Sequence, residues 1–479
     1  MSQQSFHRII FKNTGLFGLS QFVKIAVKLI SNKVAAIFLG TAGIGMIGLL
    51  ENILALIQGL TGLGIASSSV REVALINDDL DKEKRFLKVL YHWAIATGVL
   101  GLIITVVFST YISKEVFDNS NYIFWIITLG LYFIFSSITS IRLSVLQAKK
   151  RVSKIVQFHV ISAFITAILA TTLYYFYQKD GIIPVFLISA FLQFLFSIYI
   201  TRNIQVTKEK IPFKTIVEEG LPMVKLGILL SLNVIFGQVC FYLIRWFLKE
   251  KYSFEILGIY QVSSTLLVGY LGLVFAAMSN DYYPRLCNFE NDKKQFNDLV
   301  NDQTEIALLL VVPAILVLYL IAPILIELLY SKDFLDVLYV LKFGLFAIIL
   351  KAIVWPLGFI PLIKGNKFLY FKQNVLGDGI NVLASILLFY YFGLIGLGIA
   401  MVTMFLISGI YNFYTAKKYY EFKFRNNTIQ VVLVSCLLGL SAVMTMFFTE
   451  FSNFNYFIIL LLLISLVYSF LMMKNRLKI

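Results

Sequence analysis

Charged residues are scarce in this sequence: Asp, Glu, Lys and Arg make up 14% of its 479 residues, against about 25% in soluble domains. Only three cysteines and three histidines occur, and neither type shows metal-site spacing. Cys240, Cys287 and Cys436 are therefore expected to be apolar packing residues. These absences exclude a disulfide framework, a zinc site and an ordinary soluble globular domain.

The sequence is instead rich in long apolar runs. Hydrophobic residues make up 59% of the chain and the mean hydropathy is +0.84. Because a helix needs about 20 apolar residues to cross the hydrocarbon layer, and these runs are too long for barrel strands, we predict an all-α, polytopic membrane bundle. The fourteen predicted spans are 13–39, 41–69, 89–112, 121–146, 154–177, 181–202, 223–248, 255–279, 304–330, 335–363, 368–392, 394–416, 429–448 and 455–473.

The net charge of +15 would suggest nucleic acid in a soluble protein, but its placement excludes that partner. If the N-terminus is cytoplasmic, the cytoplasmic segments hold 29 of the 41 Lys and Arg residues and the outer loops hold five. Basic residues concentrate on the cytoplasmic side of membrane proteins. We therefore predict a multi-pass protein whose two termini both lie in the cytoplasm.

A weak internal repeat divides the chain. The segment 146–157 resembles 362–373, and the spans after each also correspond, at an offset of roughly 210–216 residues. Six spans separate equivalents, so the repeats share one orientation in the membrane. We predict two pseudo-symmetric six-helix lobes and two appended C-terminal helices. The predicted domains are 1–210, 211–428 and 429–479.

Charges inside the spans are the candidate functional residues, because they are costly in lipid and usually face an interior cavity. Lys24 and Lys28 share one face of the first span, Lys33 lies further along it, and Arg245 lies in the seventh. Cations in both lobes would attract a phosphate or pyrophosphate group. The alternative is that these side chains extend to the lipid headgroups.

Acidic residues within the spans are few, and two of them are candidate functional residues. Glu51 in the second span is a candidate partner for a lysine of the first span, or a site for a coupling proton or sodium ion. For Asp378, flanked by two glycines, the alternatives are ion coupling and a helix break or structural pairing. No metal site and no catalytic residues are predicted, since no paired carboxylates lie in a long outer loop.

Glycines mark the second span, in the segments GTAGIGMIG (40–48) and GLTGLGIA (59–66). Small residues allow close approach of helices and local bending. A dinucleotide-binding interpretation of GIGMIG is excluded, because no strand precedes it.

Two blocks of the sequence resemble a known family. Residues 21–74, with VKI, LGTAGIG, GLGI and a basic residue after Val70, are similar to the N-terminal signature of Wzx-type O-antigen flippases. Residues 258–286, which end in YYPRL, resemble the eighth-span region of the same family. The resemblance covers roughly residues 10–420, and the pair of spans at 429–473 departs from the twelve-span members.

The resemblance implies a transporter of the multidrug/oligosaccharidyl-lipid/polysaccharide (MOP) exporter superfamily, not an enzyme. It implies that undecaprenyl-pyrophosphate-linked oligosaccharide is moved across the bacterial cytoplasmic membrane by alternating access through a cationic central cavity. Lys24, Lys33 and Arg71 match basic positions of the family motif, whereas Lys28 and Arg245 come from the charge argument alone.

Several alternatives stay open at this stage. No cofactor is expected, but coupling to a proton or sodium gradient is open, as are polysaccharide polymerase partners. The alternative function is an ion-coupled multidrug exporter, which should have an acidic cavity for cationic drugs. A sugar-lipid polymerase or ligase would need a larger outer loop than any found here.

Overall fold

The computed structural model describes residues 3–76, 79–448 and 451–477, and every regular element in them is helical. Their side chains are described except at 3–22, 24, 226, 229, 230, 280, 446–448, 451–454 and 475–477. The α-helices are α1 Gln3–Thr61, α2 Ile65–Ile76, α3 Leu80–Val107, α4 Ser109–Phe117, α5 Ile123–Leu129, α6 Leu131–Ala148, α7 Val152–Tyr177, α8 Ile182–Thr201, α9 Phe213–Lys251, α10 Phe254–Ser264, α11 Gly272–Asn288, α12 Lys293–Leu329, α13 Val337–Ile363, α14 Lys367–Phe392, α15 Leu394–Tyr420, α16 Asn426–Phe448 and α17 Phe451–Leu477.

Short helical turns connect several of these helices. Three 3-10 turns lie at Ser120–Tyr122, Gln178–Gly181 and Lys332–Phe334. One π-helical segment, Thr265–Tyr270, lies between α10 and α11. Twelve segments in the described residues are long and apolar enough to cross a membrane. The predicted all-α, multi-pass membrane fold is therefore confirmed, whereas fourteen crossings require two of the twelve segments to be divided.

The first divided segment is α1, which contains a break at Gly40. Gly40 has φ +66° and ψ −166°, a conformation that residues with a Cβ rarely adopt. Lys28 and Glu51 lie on opposite sides of this break, yet Lys28 Nζ is 3.8 Å from Glu51 Oε1. In one straight helix they would be roughly 35 Å apart at 1.5 Å per residue. The chain therefore folds back at Gly40.

The second divided segment contains α7 and α8, which form an antiparallel hairpin. Lys154 near the start of α7 donates to the carbonyl of Ile200 near the end of α8, at 2.7 Å. The turn at Gln178–Gly181 joins the other ends, where Asp180 accepts a hydrogen bond from Tyr122. These two breaks support fourteen crossings, although the number itself stays a prediction.

The helices form two compact units, Met1–Tyr242 and Leu243–Ile479, and the boundary falls within α9. In the first unit α1 packs on α7, α3 on α6, and α8 on both α6 and α7. In the second, α13 packs on α12 and α15, and α14 packs on α15. The predicted domains 1–210, 211–428 and 429–479 stay a prediction.

In the first unit, connections predicted to be cytoplasmic lie together at one end. Glu83 Oε1 is 2.5 Å from Lys149 Nζ, and Arg85 Nη2 is 2.8 Å from Glu219 Oε1. These pairs join the start of α3 to the α6–α7 connection and to the start of α9. Since the turn at Gln178–Gly181 lies at the opposite end of the α7–α8 hairpin, the connections alternate between ends as the predicted topology requires.

The second unit has a corresponding ionic cluster around Arg425, between α15 and α16. The Arg425 guanidinium contacts Asp302 and lies 3.3 Å from Glu305 Oε1 and 3.6 Å from Asp298 Oδ1, all on α12. Burial favours the neutral guanidine, but the hydrogen bond with Asp302 and the acidic charges outweigh it and raise the pKa of Arg425. The cluster fixes the start of α16 on α12.

Close approach of two backbones explains a glycine of the second predicted span. Gly64 has φ +61°, and a Cβ built there would lie 2.1 Å from the carbonyl oxygen of Gly227 in α9. A Cβ on Gly227 would lie 2.2 Å from the carbonyl oxygen of Leu63. The start of α2 and α9 therefore cross at glycines, as the prediction of close helix approach in 59–66 requires.

The two C-terminal helices pack on the second unit. Both α16 and α17 lie against α12, and α16 also contacts α13. Ser469 in α17 donates to the carbonyl of Leu309 in α12 at 2.9 Å. Thr428 at the start of α16 donates to the Glu305 carboxylate. Helices α16 and α17 are thus an integral part of their unit's packing.

A polar cavity in the first unit as the candidate functional site

The first unit contains a cavity of about 560 Å³ among four helices. α1 contributes residues from both sides of the Gly40 break, and α6, α7 and α8 supply the rest of the wall. Most of the wall is apolar or hydroxylic. The polar lining residues are Lys28, Ser31, Asn32, Glu51, Tyr132, Ser136, Thr139, Ser140, His159, Ser162, Thr166, Tyr174, Ser189 and Gln193.

Helical spacing explains why these side chains share one space. On α6, Tyr132, Ser136 and Thr139 follow one another at intervals of four and three residues, which places them on one face. His159, Ser162 and Thr166 follow the same rule on α7. The remaining faces of these helices are apolar enough to contact lipid or other helices. The cavity is therefore formed by polar stripes on otherwise hydrophobic helices.

The formal charges among the described lining residues are those of Lys28 and Glu51, which form the 3.8 Å ion pair. Their side chains are 56% and 40% exposed, so both reach the open space of the cavity. Because the charges balance, the described wall has no large excess of cations. An anion entering the cavity would have to compete with Glu51 for Lys28.

Three hydroxyl groups in the wall are buried without a hydrogen-bond partner in the structure. They belong to Thr139, Ser162 and Ser189, whose residues are 8%, 8% and 5% exposed. A buried polar group without a partner costs about 1–3 kcal/mol. Because these hydroxyls line the cavity, water or the hydroxyls of a ligand can satisfy them. The wall is therefore suited to a polar, uncharged guest.

The amide groups of the cavity add further hydrogen-bonding capacity. Gln193 on α8 donates from Nε2 to the Thr166 hydroxyl of α7 at 3.3 Å. This bond orients one edge of the amide towards α7. Asn32 lies one turn beyond Lys28 on α1. Together with the hydroxyls, these amides form an array of donors and acceptors around the ion pair.

The predicted cationic residues do not all reach this cavity. Lys28 lines it, whereas Lys33, although on the same helix, is absent from the lining. Arg71 is exposed on α2 and is likewise absent from the lining. The side chain of Lys24 lies outside the described residues. Of the predicted site, the structure thus brings together Lys28 and Glu51.

Arg245 and Asp378 belong to the second unit. Arg245 is 9% exposed and donates from Nη2 to Gln261 Oε1 at 2.8 Å. Its guanidinium carbon lies 5.6 Å from the centre of the Tyr260 ring. Asp378 lines a separate, smaller cavity of that unit together with Lys351. The predicted roles of these residues stay predictions.

Sequence reasoning missed the hydroxyl and amide residues of the wall. The residues singled out from the sequence were the charges within spans. The signal was present in α6 and α7, where polar residues recur at intervals of three and four within apolar spans. The described residues contain no group of three or more His, Cys, Asp or Glu that could hold a metal ion.

Comparison with solved structures identifies the fold. The chain is similar to the lipid II flippase MurJ in an inward closed conformation, with TM-score 0.72 and 18% identity over 97% of this chain and 100% of that one. The chain is also similar to an inward-facing multidrug resistance MATE family transporter of the MOP superfamily. The TM-score is 0.66, with 14% identity over 84% of this chain and 98% of that one. An outward-facing transporter of the same family gives a TM-score of 0.62 and 14% identity over 86% of this chain and 96% of that one.

Comparison with sequence families gives a more specific result. No curated protein sequence matches the chain. The sequence model of a family described as polysaccharide biosynthesis protein matches residues 17–339, which is more than half of the chain. The chain therefore belongs to the polysaccharide biosynthesis protein family and has the fold of the MOP exporter superfamily, as its resemblance to the oligosaccharide-lipid flippases predicted.

Proposed function

We propose that this protein moves an undecaprenyl-pyrophosphate-linked oligosaccharide, an O-antigen unit or a similar surface polysaccharide unit, across the bacterial cytoplasmic membrane by alternating access. The observation that carries the proposal is the cavity of the first unit, which has a lysine and an array of hydroxyls and amides inside a membrane helix bundle. The polysaccharide biosynthesis family supports a saccharide-linked cargo. The flippase fold of MurJ supports a lipid-linked one.

The chemistry of such a cargo matches the chemistry of the wall. A pyrophosphate cannot enter hydrocarbon unaided, because an isolated buried ion is very costly. Lys28 offers a cation to phosphate oxygens, and the hydroxyls of Thr139, Ser162 and Ser189 offer partners to sugar hydroxyls. The prenyl chain needs no polar site, since it can stay in lipid.

The Lys28–Glu51 pair suggests how cargo and ion movement are linked. A phosphate that binds Lys28 displaces Glu51 from its partner. A carboxylate deprived of its lysine in a partly buried site is destabilised unless it takes up a proton or a sodium ion. We propose that Glu51 binds the coupling ion in this way. Asp378 is the corresponding candidate in the second unit.

The remaining predicted features belong to the same proposal. We propose that both termini lie in the cytoplasm. We also propose that four basic residues assist phosphate passage outside the cavity of the first unit, namely Lys24, Lys33, Arg71 and Arg245. Polysaccharide polymerases are the proposed partners, since they would use the exported unit.

The test is complementation of a bacterial strain that lacks its own O-antigen flippase. The parent should restore surface polysaccharide, and Lys28→Ala should reduce it at least tenfold at equal membrane levels. Lys179→Ala is the matched control, because Lys179 is exposed in the α7–α8 turn and is not among the residues that line the cavity. It should behave as the parent.

Two results would contradict the proposal. If Lys28→Ala restores polysaccharide as well as the parent, Lys28 does not bind the headgroup. If the parent restores none but exports cationic dyes from the same strain, the multidrug exporter alternative replaces the flippase. That alternative is supported by the carboxylate of Glu51 in the cavity, which could bind a cationic drug.

A further inference from the structure

The second unit contains a cavity of about 230 Å³ among α13, α14 and α15. Lys351, Trp355 and Gly358 line it from α13, and Asp378 is among the lining residues of α14. Its wall thus combines two charges of opposite sign with an aromatic ring. Nothing in the sequence argument singled out this set apart from Asp378.

This cavity is the repeat equivalent of the cavity in the first unit. Eleven of its fourteen lining residues lie 215 positions after a residue that lines the first cavity. That offset falls within the 210–216 predicted from sequence similarity. The pairs are Ser136/Lys351, Thr139/Val354, Ser140/Trp355, Leu143/Gly358, Phe158/Gln373, His159/Asn374, Ser162/Gly377, Ala163/Asp378, Ser189/Met404, Ala190/Phe405 and Gln193/Ser408.

The equivalent positions have diverged in chemistry. Two neutral residues of the first cavity, Ser136 and Ala163, correspond to Lys351 and Asp378. The first cavity instead takes its charges, Lys28 and Glu51, from α1. Each unit therefore places one lysine and one carboxylate at its own cavity. The helices that carry these two charges are not equivalent in the two units.

Three buried polar atoms of the second cavity have no hydrogen-bond partner in the structure. They are Gln373 Oε1, Ser408 Oγ and Asn412 Oδ1, in residues that are 6%, 7% and 6% exposed. The other end of the Gln373 amide is fixed, because its Nε2 donates to the Thr415 hydroxyl at 3.0 Å. The two amide oxygens can only accept hydrogen bonds, so an occupant must offer donors.

The remaining wall narrows the class of occupant. Lys351 and Asp378 balance each other formally, so the cavity does not select for net charge. A bound metal cation would be repelled by Lys351, whose ammonium lies 5.1 Å from the centre of the Phe275 ring. Trp355 and Phe359 supply flat apolar surface. An occupant that satisfies all of these features is a neutral ring with apolar faces that carries hydrogen-bond donors around its edge.

We propose that the cavity of the second unit binds one sugar residue of the cargo. This inference rests on the proposed function, since it assigns a subsite to the saccharide part of the lipid-linked substrate. Gln373, Ser408 and Asn412 accept hydrogen bonds from sugar hydroxyls, and Lys351 and Asp378 bind further hydroxyls at the edge. Trp355 packs against the apolar face of the ring.

The test fills the cavity through Gly358. A Cβ at Gly358 would meet no atom within 4 Å, and leucine already occupies the equivalent position 143 in the first unit. Gly358→Leu should therefore fold and occupy the space of the sugar. Gly379→Leu is the matched control, because Gly379 is also helical, has open space around a Cβ and does not line the cavity.

Binding is measured on the purified full chain in lipid nanodiscs by ligand-observed NMR. The probes are a hexose, an N-acetylhexosamine, an aminohexose and a hexuronic acid, each as the free sugar. At least one should give saturation transfer with the parent and with Gly379→Leu, and its signal should fall at least fivefold with Gly358→Leu. Equal thermal melting temperatures of the three proteins show that the fold is retained.

The outcomes separate this proposal from the flippase proposal. The subsite proposal is overturned if no sugar probe binds the parent, or if Gly358→Leu binds the probe as well as the parent does. It is also overturned if the Gly358→Leu substitution changes only the effect of sodium ions or protons on the spectra. Restoration of surface polysaccharide is scored independently in the strain without its flippase. If the parent restores none and exports cationic dyes, the flippase proposal is removed, but sugar binding that depends on Gly358 would still uphold the subsite.

Discussion

Lys28 and Glu51 meet at 3.8 Å across a fold-back of the chain at Gly40. The pair joins the two halves of α1 at about the same distance from the turn, and both side chains reach the cavity of the first unit. One interaction therefore reports on the fold of α1 and on the chemistry of the candidate site.

Charge reversal tests this pair. Lys28→Glu and Glu51→Lys each place like charges face to face, and each should abolish restoration of surface polysaccharide. The double variant restores the attraction and should recover at least a tenth of the parental level. Recovery is measured as surface polysaccharide at equal membrane levels, and equal loss in the single and double variants would show that the attraction between the two charges is not what transport requires.

Gly40 itself provides a test of the fold-back. Its conformation, φ +66° with ψ −166°, disfavours residues with a Cβ by about 1–3 kcal/mol, while a Cβ built on Gly40 would meet no atom of the surrounding residues within 4 Å. Gly40→Val should lower the thermal melting temperature, and Gly40→Asn should lower it too, because this conformation lies outside the left-handed α region that asparagine tolerates. The control is Gly379→Ala, at an ordinary helical position with equally open surroundings. Similar melting temperatures for Gly40→Val and the parent would contradict the assigned strain.

Sidedness can be read by cysteine labelling in a version in which Cys240, Cys287 and Cys436 are alanine. Lys150 and Lys179 are exposed at opposite ends of α7. A membrane-impermeant maleimide should label Lys179→Cys in intact cells and Lys150→Cys only after permeabilisation. Labelling of both from one side would remove α7 from the list of crossings, and reversed labelling would place the termini outside.

The Arg425 cluster tests how α16 is held. Arg425→Ala leaves Glu305, whose side chain is 0% exposed, without its cation. We expect a loss of roughly 1–3 kcal/mol in the free energy of unfolding, less than for a fully buried pair because Arg425 is 36% exposed. Arg425→Lys should recover only part of the lost free energy of unfolding, because lysine has no planar guanidinium with which to bridge two carboxylates.

The readout for this cluster is the melting temperature together with protease cleavage near the start of α16. Arg285→Ala is the matched control, because its ion pair with Asp281 is an exposed pair within one helix. Its loss should change stability by less than about 1 kcal/mol. Equal effects of the two substitutions would show that the cluster contributes nothing specific.

The fold was predictable because lipid leaves the backbone no alternative to helices. Apolar runs and the placement of lysine and arginine were enough to anticipate the bundle and, in Glu83–Lys149, the gathering of connections at one end. The breaks within two of the twelve segments were also anticipated, since predicted spans end at 39 and at 177 and the next spans begin at 41 and at 181. These features follow from local sequence and from the thickness of the membrane.

The candidate site was only partly predictable, because cavity lining depends on how helices rotate against one another. Lys28 and Lys33 look alike in sequence, yet only the rotation of α1 places Lys28 in the lining. The association of Lys351 with Asp378 at one cavity depends on the packing of α13 on α15 and of α15 on α14. The hydropathy of serine and threonine is too close to neutral for the sequence to show which of them line a cavity.

The constant offset of 215 between the two cavities has a consequence for protein engineering. From 136 to 193, and again from 351 to 408, the two halves have equal residue counts through three helices and both of their connections. An α7–α8 hairpin could thus be exchanged for α14–α15 without altering chain length. Such chimaeras would show which properties of each half come from the architecture that the two halves share and which come from the charges at its own cavity.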